Sequence, residues 1–253
     1  GHGRVNLIES ISQSCDVYYY ELAQRVGIEA ISEMARRLGC GVRHDLPLSG
    51  IAEGLAPTMQ WKMQNRGAAW VVGDTLNASI GQGFVLSSPL HLAVMTARLA
   101  TGREIVPSII RSIDGVSQLP PPAADMGFDP GHLDQVHRGM WNVNNDRRGT
   151  AYGARVEMAD YKIAGKTGTS QVRNISAAER TSGVISNEDL PWERRDHALY
   201  VGYAPYDTPR YACSVIVEHG GGGSAVAAPI ARDILLRAQL GEVPPPELYP
   251  AGQ

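Results

Sequence analysis

The spacing of apolar residues predicts a helix-rich N-terminal part. Apolar side chains recur at three- and four-residue intervals over residues 5–38, which is the period of one helix face. The polar triplet Ser12-Gln13-Ser14 interrupts this run, and Gly27 and Gly39 are typical of helix ends. We therefore expect three short helices in the first 40 residues.

The middle of the chain shows weaker periodicity. Residues 40–70 are rich in Gly, Pro and polar side chains, which predicts a loop. A serine-proline pair at 88 and 89 predicts the start of a strong helix that ends at Gly102. The apolar, β-branched residues 104–113 indicate strands, and a further helix is expected near 132–142.

The C-terminal third changes to a strand pattern. Three short segments predict strands, at 161–164, 198–204 and 211–218. The last two are joined by a proline-bounded turn at 205–209 and are expected to pair antiparallel. A helix is predicted over 224–240, and residues 241–253 are expected to form a loose C-terminal tail.

Composition narrows the function classes. The 253 residues carry 23 basic and 26 acidic side chains, a net charge of -3, so the charge does not favour a nucleic-acid partner. Residues 90–100 form the longest apolar-looking run, and they are too few for a bilayer helix of roughly 20 residues. Three scattered cysteines do not form a disulfide framework. The pattern is that of a globular protein.

The segment Gly165-Lys166-Thr167-Gly168-Thr169 is the most informative in the chain. Only three lysines are present, and Lys166 lies in a K-T-G triplet at the end of the strand predicted at 161–164. A strand-end turn is the plain structural alternative. A phosphate loop fits poorly because the G-x-x-x-x-G-K-[ST] spacing and a following helix are both missing.

The triplet Ser14-Cys15-Asp16 is the second candidate. By itself it fits a helix N-cap, since Ser or Asp before an apolar run accepts hydrogen bonds from backbone N–H groups. Together with the downstream K-T-G, it matches two of the three motifs of penicillin-binding proteins and serine β-lactamases, S-x-x-K, S-D-N and K-T-G. Their order along the chain also agrees.

Longer segments resemble the transpeptidase domain of class B penicillin-binding proteins, on the elongation-type, penicillin-binding protein 2 branch. They are SQSCDVYYYELA (12–23), GDTLNASIGQGFVLSSPLHLA (73–93), AGKTGTSQV (164–172), RDHALYVGYAP (195–205) and VEHGGGGSAVAAPIARDIL (217–235). The resemblance implies an α+β fold with a helical lobe and a five-stranded antiparallel sheet flanked by helices. It makes residues 1–240 the C-terminal part of a transpeptidase domain.

The resemblance also implies an activity and roles for residues. The expected enzyme is a serine D,D-transpeptidase that cross-links peptidoglycan stem peptides through an acyl-enzyme and is acylated by β-lactam antibiotics. Ser14 would pass a proton toward the leaving amine, Asp16 would help orient substrate, and Lys166 would be the second active-site cation. Thr167, Gly168 and Thr169 would bind the substrate carboxylate and backbone.

One family motif is missing from the sequence. No serine is followed by lysine three residues later, so the S-x-x-K serine that would be acylated is not among these 253 residues. We expect the chain to be a C-terminal fragment of a longer enzyme and to be inactive alone. The alternatives are a β-lactam-sensing or β-lactam-binding module without turnover, and a serine β-lactamase-like hydrolase.

Further expectations rest on the resemblance alone. His2 and Cys15 would supply half of a structural zinc site, with two aspartates expected before Gly1. The enzyme would act in the periplasm, held at the inner membrane by an N-terminal anchor outside this chain. Its partners would be the glycosyltransferase and scaffold proteins of the elongation machinery.

Overall fold

A computed structural model describes residues 1–173, 179, 181, 183 and 185–250 of the chain. The chain folds into two compact units. The first contains residues 1–14 and 136–253, and the second contains residues 15–135. None of the described helices is both long and apolar enough to cross a bilayer.

The first unit contains the sheet. Strands β3 (Ala164–Ser170), β4 (His197–Ala204) and β5 (Tyr211–Val217) form an antiparallel sheet in the order β3-β4-β5. Helix α8 (Ala227–Leu240) packs on β4 and β5. Helix α1 (Leu7–Ser12) belongs to the same unit. The described residues give this sheet three strands, where the resemblance implies five.

A small aliphatic core holds α8 against the sheet. Its buried members are Val156, Ile163, Ala204, Leu235, Leu236 and Leu248. Leu248 is only 1% exposed, and its carbonyl accepts a hydrogen bond from the Glu157 N–H at 3.0 Å. The expectation of a loose tail is therefore wrong for this part of the C-terminal segment, because an apolar side chain beyond the last helix completes the core.

The second unit is mainly helical. Its helices are α2 (Asp16–Val26), α3 (Ile28–Arg37), α4 (Met59–Arg66), α5 (Val72–Ser79) and α6 (Pro89–Thr101). Helix α2 packs on α3 and α5. Helix α7 (Pro130–Asn145) begins in this unit and continues into the first.

Helix α6 has the bounds that the sequence predicts. Ser88 is its N-cap and accepts a hydrogen bond from the His91 N–H, and Pro89 occupies the first turn. Gly102 ends the helix in the left-handed conformation with φ at 65°. The helix near 132–142 and the strands at 198–204 and 211–218 are confirmed as well.

Three predicted elements are wrong. Residues 40–70 are not all loop, because α4 begins after the N-cap Thr58, whose hydroxyl accepts from the Trp61 N–H at 3.0 Å. Within 104–113 only Ser112–Ile113 is a strand, β1, and it pairs with β2 (Val116–Ser117) in an exposed hairpin. The K-T-G triplet lies inside β3 and does not follow a strand.

Candidate active site

Ser14 lies in the bend between α1 and α2. Its φ is 52°, a left-handed conformation that few residues other than glycine adopt and that is found frequently at functional sites. The bend is held locally by a hydrogen bond from the Ser14 N–H to the Ile11 carbonyl at 3.3 Å. Helix α1 is itself held by a capping box between Asn6 and Glu9. The hydrogen bonds of α1 and of the bend therefore fix the position of Ser14.

Lys166 is hydrogen-bonded to Ser14 in the first unit. Its Nζ donates to Ser14 Oγ at 2.8 Å and to the Thr167 carbonyl at 2.7 Å, although Ser14 and Lys166 are 152 positions apart in sequence. A cation beside a hydroxyl oxygen stabilises negative charge that develops there, so this pair can support proton transfer. The structure thus brings together two of the predicted catalytic residues.

Position 165 on β3 has no room for a side chain. A Cβ at this position would collide with the Tyr200 phenol and would lie 2.5 Å from the Val201 carbonyl oxygen. Tyr200 is fully buried and donates its hydroxyl to Asn144 Oδ1 at 2.6 Å. Burial raises the pKa of this phenol, so Tyr200 stays neutral and acts as a packing support for the strand.

The remaining K-T-G residues follow Lys166 along β3. Thr167 lies opposite Tyr200 and Thr169 opposite Ala198 in the register with β4. Thr169 is exposed, and β3 is the terminal strand of the sheet as described. A terminal strand presents backbone N–H and C=O groups along its outer edge, which is the geometry that binds an extended peptide.

The glycine run after His219 lies close to the backbone of β3. His219 lies in the turn after β5, with a φ of 55°, and its N–H donates to His197 Nδ1 at 2.9 Å. A Cβ at Gly223 would collide with the carbonyl oxygens of Leu199 and Gly168. Gly223 is therefore a site of close backbone approach to the K-T-G segment.

Asp16 is placed differently from Ser14 and Lys166. It is exposed and begins α2 in the second unit. The N-cap of α2 is Cys15, and no side chain caps this helix, so the N-cap alternative for the S-C-D triplet is not observed. The Ser14 hydroxyl instead accepts from Lys166.

The two predicted zinc ligands do not form a metal site in the described part of the chain. His2 is exposed, Cys15 is buried and is not in a disulfide, and they belong to different units. A structural zinc needs four ligands, whereas no group of three or more His, Cys, Asp or Glu side chains occurs among the described residues. The residues present do not make a zinc site by themselves.

Thr150 is a site residue that the sequence reasoning missed. Its Oγ1 lies 2.7 Å from Thr167 Oγ1, and its N–H donates to the Ser12 carbonyl at 3.1 Å. A single threonine in a loop has no sequence pattern that distinguishes it from any other. Only the fold shows that it lies between the two motifs.

Comparison with known proteins agrees with this geometry. The family model described as the penicillin binding protein transpeptidase domain matches residues 1–236. The peptidoglycan D,D-transpeptidase MrdA of Acinetobacter baumannii is 36% identical over 237 residues, covering 91% of this chain and 34% of MrdA. The MrdA of Escherichia coli K12 is 34% identical over 251 residues, covering 96% and 38%. The chain therefore spans little more than a third of the length of these relatives.

Solved structures give the same result. A complex between penicillin-binding protein PBP2 and MreC from Helicobacter pylori matches with a TM-score of 0.79 at 32% identity, covering 95% of this chain and 41% of that one. Pseudomonas aeruginosa PBP2 in complex with WCK 5153 matches with a TM-score of 0.77 at 37% identity, covering 97% and 52%. The α+β fold is that of these proteins, and the chain belongs to the penicillin-binding protein transpeptidase domain family.

Proposed function

We propose that this chain is part of a serine D,D-transpeptidase that cross-links peptidoglycan stem peptides during cell elongation and is acylated by β-lactams. The observation that carries the proposal is the 2.8 Å hydrogen bond from Lys166 Nζ to Ser14 Oγ, which joins the S-C-D and K-T-G motifs. Family membership and the similarity to MrdA support this reaction class.

The acylated serine of this mechanism would come from an S-x-x-K segment outside the 253 residues. Its Oγ attacks the carbonyl carbon of the penultimate D-alanine of the donor stem peptide, and the bond to the terminal D-alanine nitrogen breaks. The lysine of the same S-x-x-K segment takes the serine proton, and Ser14 passes a proton to the departing amine. The amine of an acceptor stem peptide then attacks the ester and regenerates the serine.

The K-T-G residues would hold the donor peptide. The Thr167 and Thr169 hydroxyls donate to the terminal carboxylate, or to the carboxylate of a β-lactam, and the edge of β3 after Gly168 pairs with the peptide backbone. The Thr169 N–H donates to the oxyanion that forms during attack. Lys166 is the second cation of the site, beside Ser14, and Asp16 contributes to substrate orientation.

Location and partners follow from the same proposal. The enzyme would act in the periplasm at the inner membrane, together with the glycosyltransferase and scaffold proteins of the elongation machinery. The similarity to a PBP2 that is solved in complex with MreC supports a scaffold partner. A structural zinc would require two ligands in addition to His2 and Cys15, and no catalytic step uses it.

The test is to treat the full natural gene product with labelled penicillin and to locate the adduct by peptide mass spectrometry. We expect one adduct, on the serine of an S-x-x-K segment outside these residues. An adduct on a residue of this chain, or none at all, would overturn the proposed mechanism. Rapid release of hydrolysed penicillin would instead indicate a β-lactamase.

A further inference from the structure

The loop that follows α7 joins the two motifs of the site through Thr150. The Thr150 N–H donates to the Ser12 carbonyl, two residues before Ser14, and Thr150 Oγ1 lies 2.7 Å from Thr167 Oγ1. Lys166, which precedes Thr167, bonds Ser14 directly. Thr150 is therefore hydrogen-bonded to both segments that carry the Lys166–Ser14 pair.

The loop has little freedom to place Thr150 elsewhere. A Cβ at Gly149 would collide with two carbonyl oxygens of α7 and would lie 2.7 Å from the Val143 carbonyl carbon. On the other side, Ala151 is 1% exposed and its N–H donates to the Val143 carbonyl at 2.9 Å. Close packing before Thr150 and burial after it hold its side chain toward Thr167.

The proton count of the hydroxyls decides the direction of the bond. A threonine hydroxyl has one proton to donate and lone pairs with which to accept. On the proposed function, Thr167 uses its proton for the substrate carboxylate. The proton between the two threonines must then come from Thr150, and the Thr167 hydroxyl accepts it.

We propose that Thr150 is a positioning residue that directs the Thr167 hydroxyl proton toward the substrate carboxylate. By donating to Thr167 Oγ1, Thr150 occupies a lone pair and leaves the Thr167 proton to point at the ligand. Successive hydrogen bonds polarise one another, so the Thr167 hydroxyl also becomes a better donor. This inference rests on the proposed function and adds a residue outside the three motifs.

The experiment measures the acylation efficiency of the full natural gene product with labelled penicillin and with its methyl ester, which lacks the carboxylate charge. Thr150→Val keeps the shape and removes the hydroxyl, whereas Thr150→Ser restores the hydroxyl. We expect Thr150→Val to lower acylation by the free acid roughly five- to tenfold. The methyl ester should react with Thr150→Val and wild type within about twofold, and Thr150→Ser should resemble wild type.

A second comparison separates positioning from loosening of the fold. If Thr150 acts through Thr167, the double variant Thr150→Val/Thr167→Val loses no more than Thr167→Val alone. The inference alone would be overturned, in favour of a structural role, by either of two results. One is a double variant whose loss of acylation is the sum of the two single losses. The other is a Thr150→Val variant that loses acylation equally with penicillin and with its methyl ester. Should Thr150→Val fail to fold, Thr150→Ala replaces it in both comparisons. A wild-type protein that forms no adduct overturns the proposed function and this inference together.

Discussion

Lys166 in the sheet unit and Lys62 in the helical unit are two of only three lysines in the chain, and the structure uses them differently. Lys62 is 8% exposed and its Nζ pairs with Asp74 Oδ2 at 2.5 Å, close to the rings of Trp70 and Phe84. Lys166 donates to the Ser14 hydroxyl and to the Thr167 carbonyl oxygen, and both of these acceptors are uncharged.

The contact of Lys62 with Asp74 stabilises the fold, whereas the contact of Lys166 with Ser14 belongs to the candidate active site. A carboxylate neutralises the Lys62 ammonium, and the same Asp74 also accepts from the Val71 N–H at 2.9 Å and so holds the start of α5. The Lys166 ammonium is directed at an oxygen that can exchange a proton. Replacing the two lysines should therefore change different properties of the protein.

The largest effect is expected from Lys166→Met in the full natural gene product. Removal of the charge beside Ser14 should lower penicillin acylation by about a thousandfold, as the loss of one stabilising donor does in other acyl-transfer sites. The unfolding midpoint in urea should hardly change. Labelled-penicillin kinetics and urea titration measure the two quantities, and acylation within about tenfold of wild type would remove Lys166 from the mechanism.

Lys62→Met is the matched control, and we expect it to lower stability and to leave acylation unchanged. It leaves the Asp74 carboxylate without its cation in a mostly buried environment, which costs about 3 kcal/mol of unfolding free energy. Acylation per folded molecule should match wild type. A variant that is as stable as wild type, or folded but slow to acylate, would contradict the division between the two lysines.

The pH dependence of stability sharpens the same comparison. Burial opposes ionisation of Asp74, but the hydrogen bonds from Lys62 and the Val71 N–H and the Lys62 charge outweigh it, so the pKa of Asp74 is below its usual value. The stabilisation is therefore complete above the unfolded pKa of about 4 and is lost as pH falls through the lower folded pKa. The difference in urea midpoint between wild type and Lys62→Met should shrink below about pH 4. A constant difference down to about pH 2.5 would exclude this carboxylate as the cause.

The smallest effect concerns Cys213 on β5. Burial raises the pKa of this thiol to about 12, against a weaker opposing hydrogen bond from the Gly202 backbone. The reactive thiolate is therefore scarce at about pH 8, and a thiol reagent should modify Cys213 only when the sheet unit unfolds. Peptide mapping of native and urea-treated protein measures this, with Cys213→Ser as the control. Rapid native labelling would show that β5 opens readily.

The sequence predicted best where the relevant interactions are local. Ser88, Pro89 and Gly102 set the bounds of α6 because a cap bonds within one turn of itself. Helix α4 was missed although Thr58 caps it in the same way, because its segment lacks an apolar period. The strand prediction at 104–113 failed because apolar, β-branched residues form a strand only when another strand pairs with them.

The sequence by itself determined the family, the K-T-G and S-C-D motifs and the absence of an S-x-x-K motif from these residues, because each depends on residue types at short spacing. Only the tertiary structure decided that Lys166 bonds Ser14, that Thr150 lies between the motifs and that Leu248 completes the core. Those contacts join residues far apart in the chain. They depend on how the sheet, α8 and the bend after α1 pack, and short sequence patterns do not predict that packing.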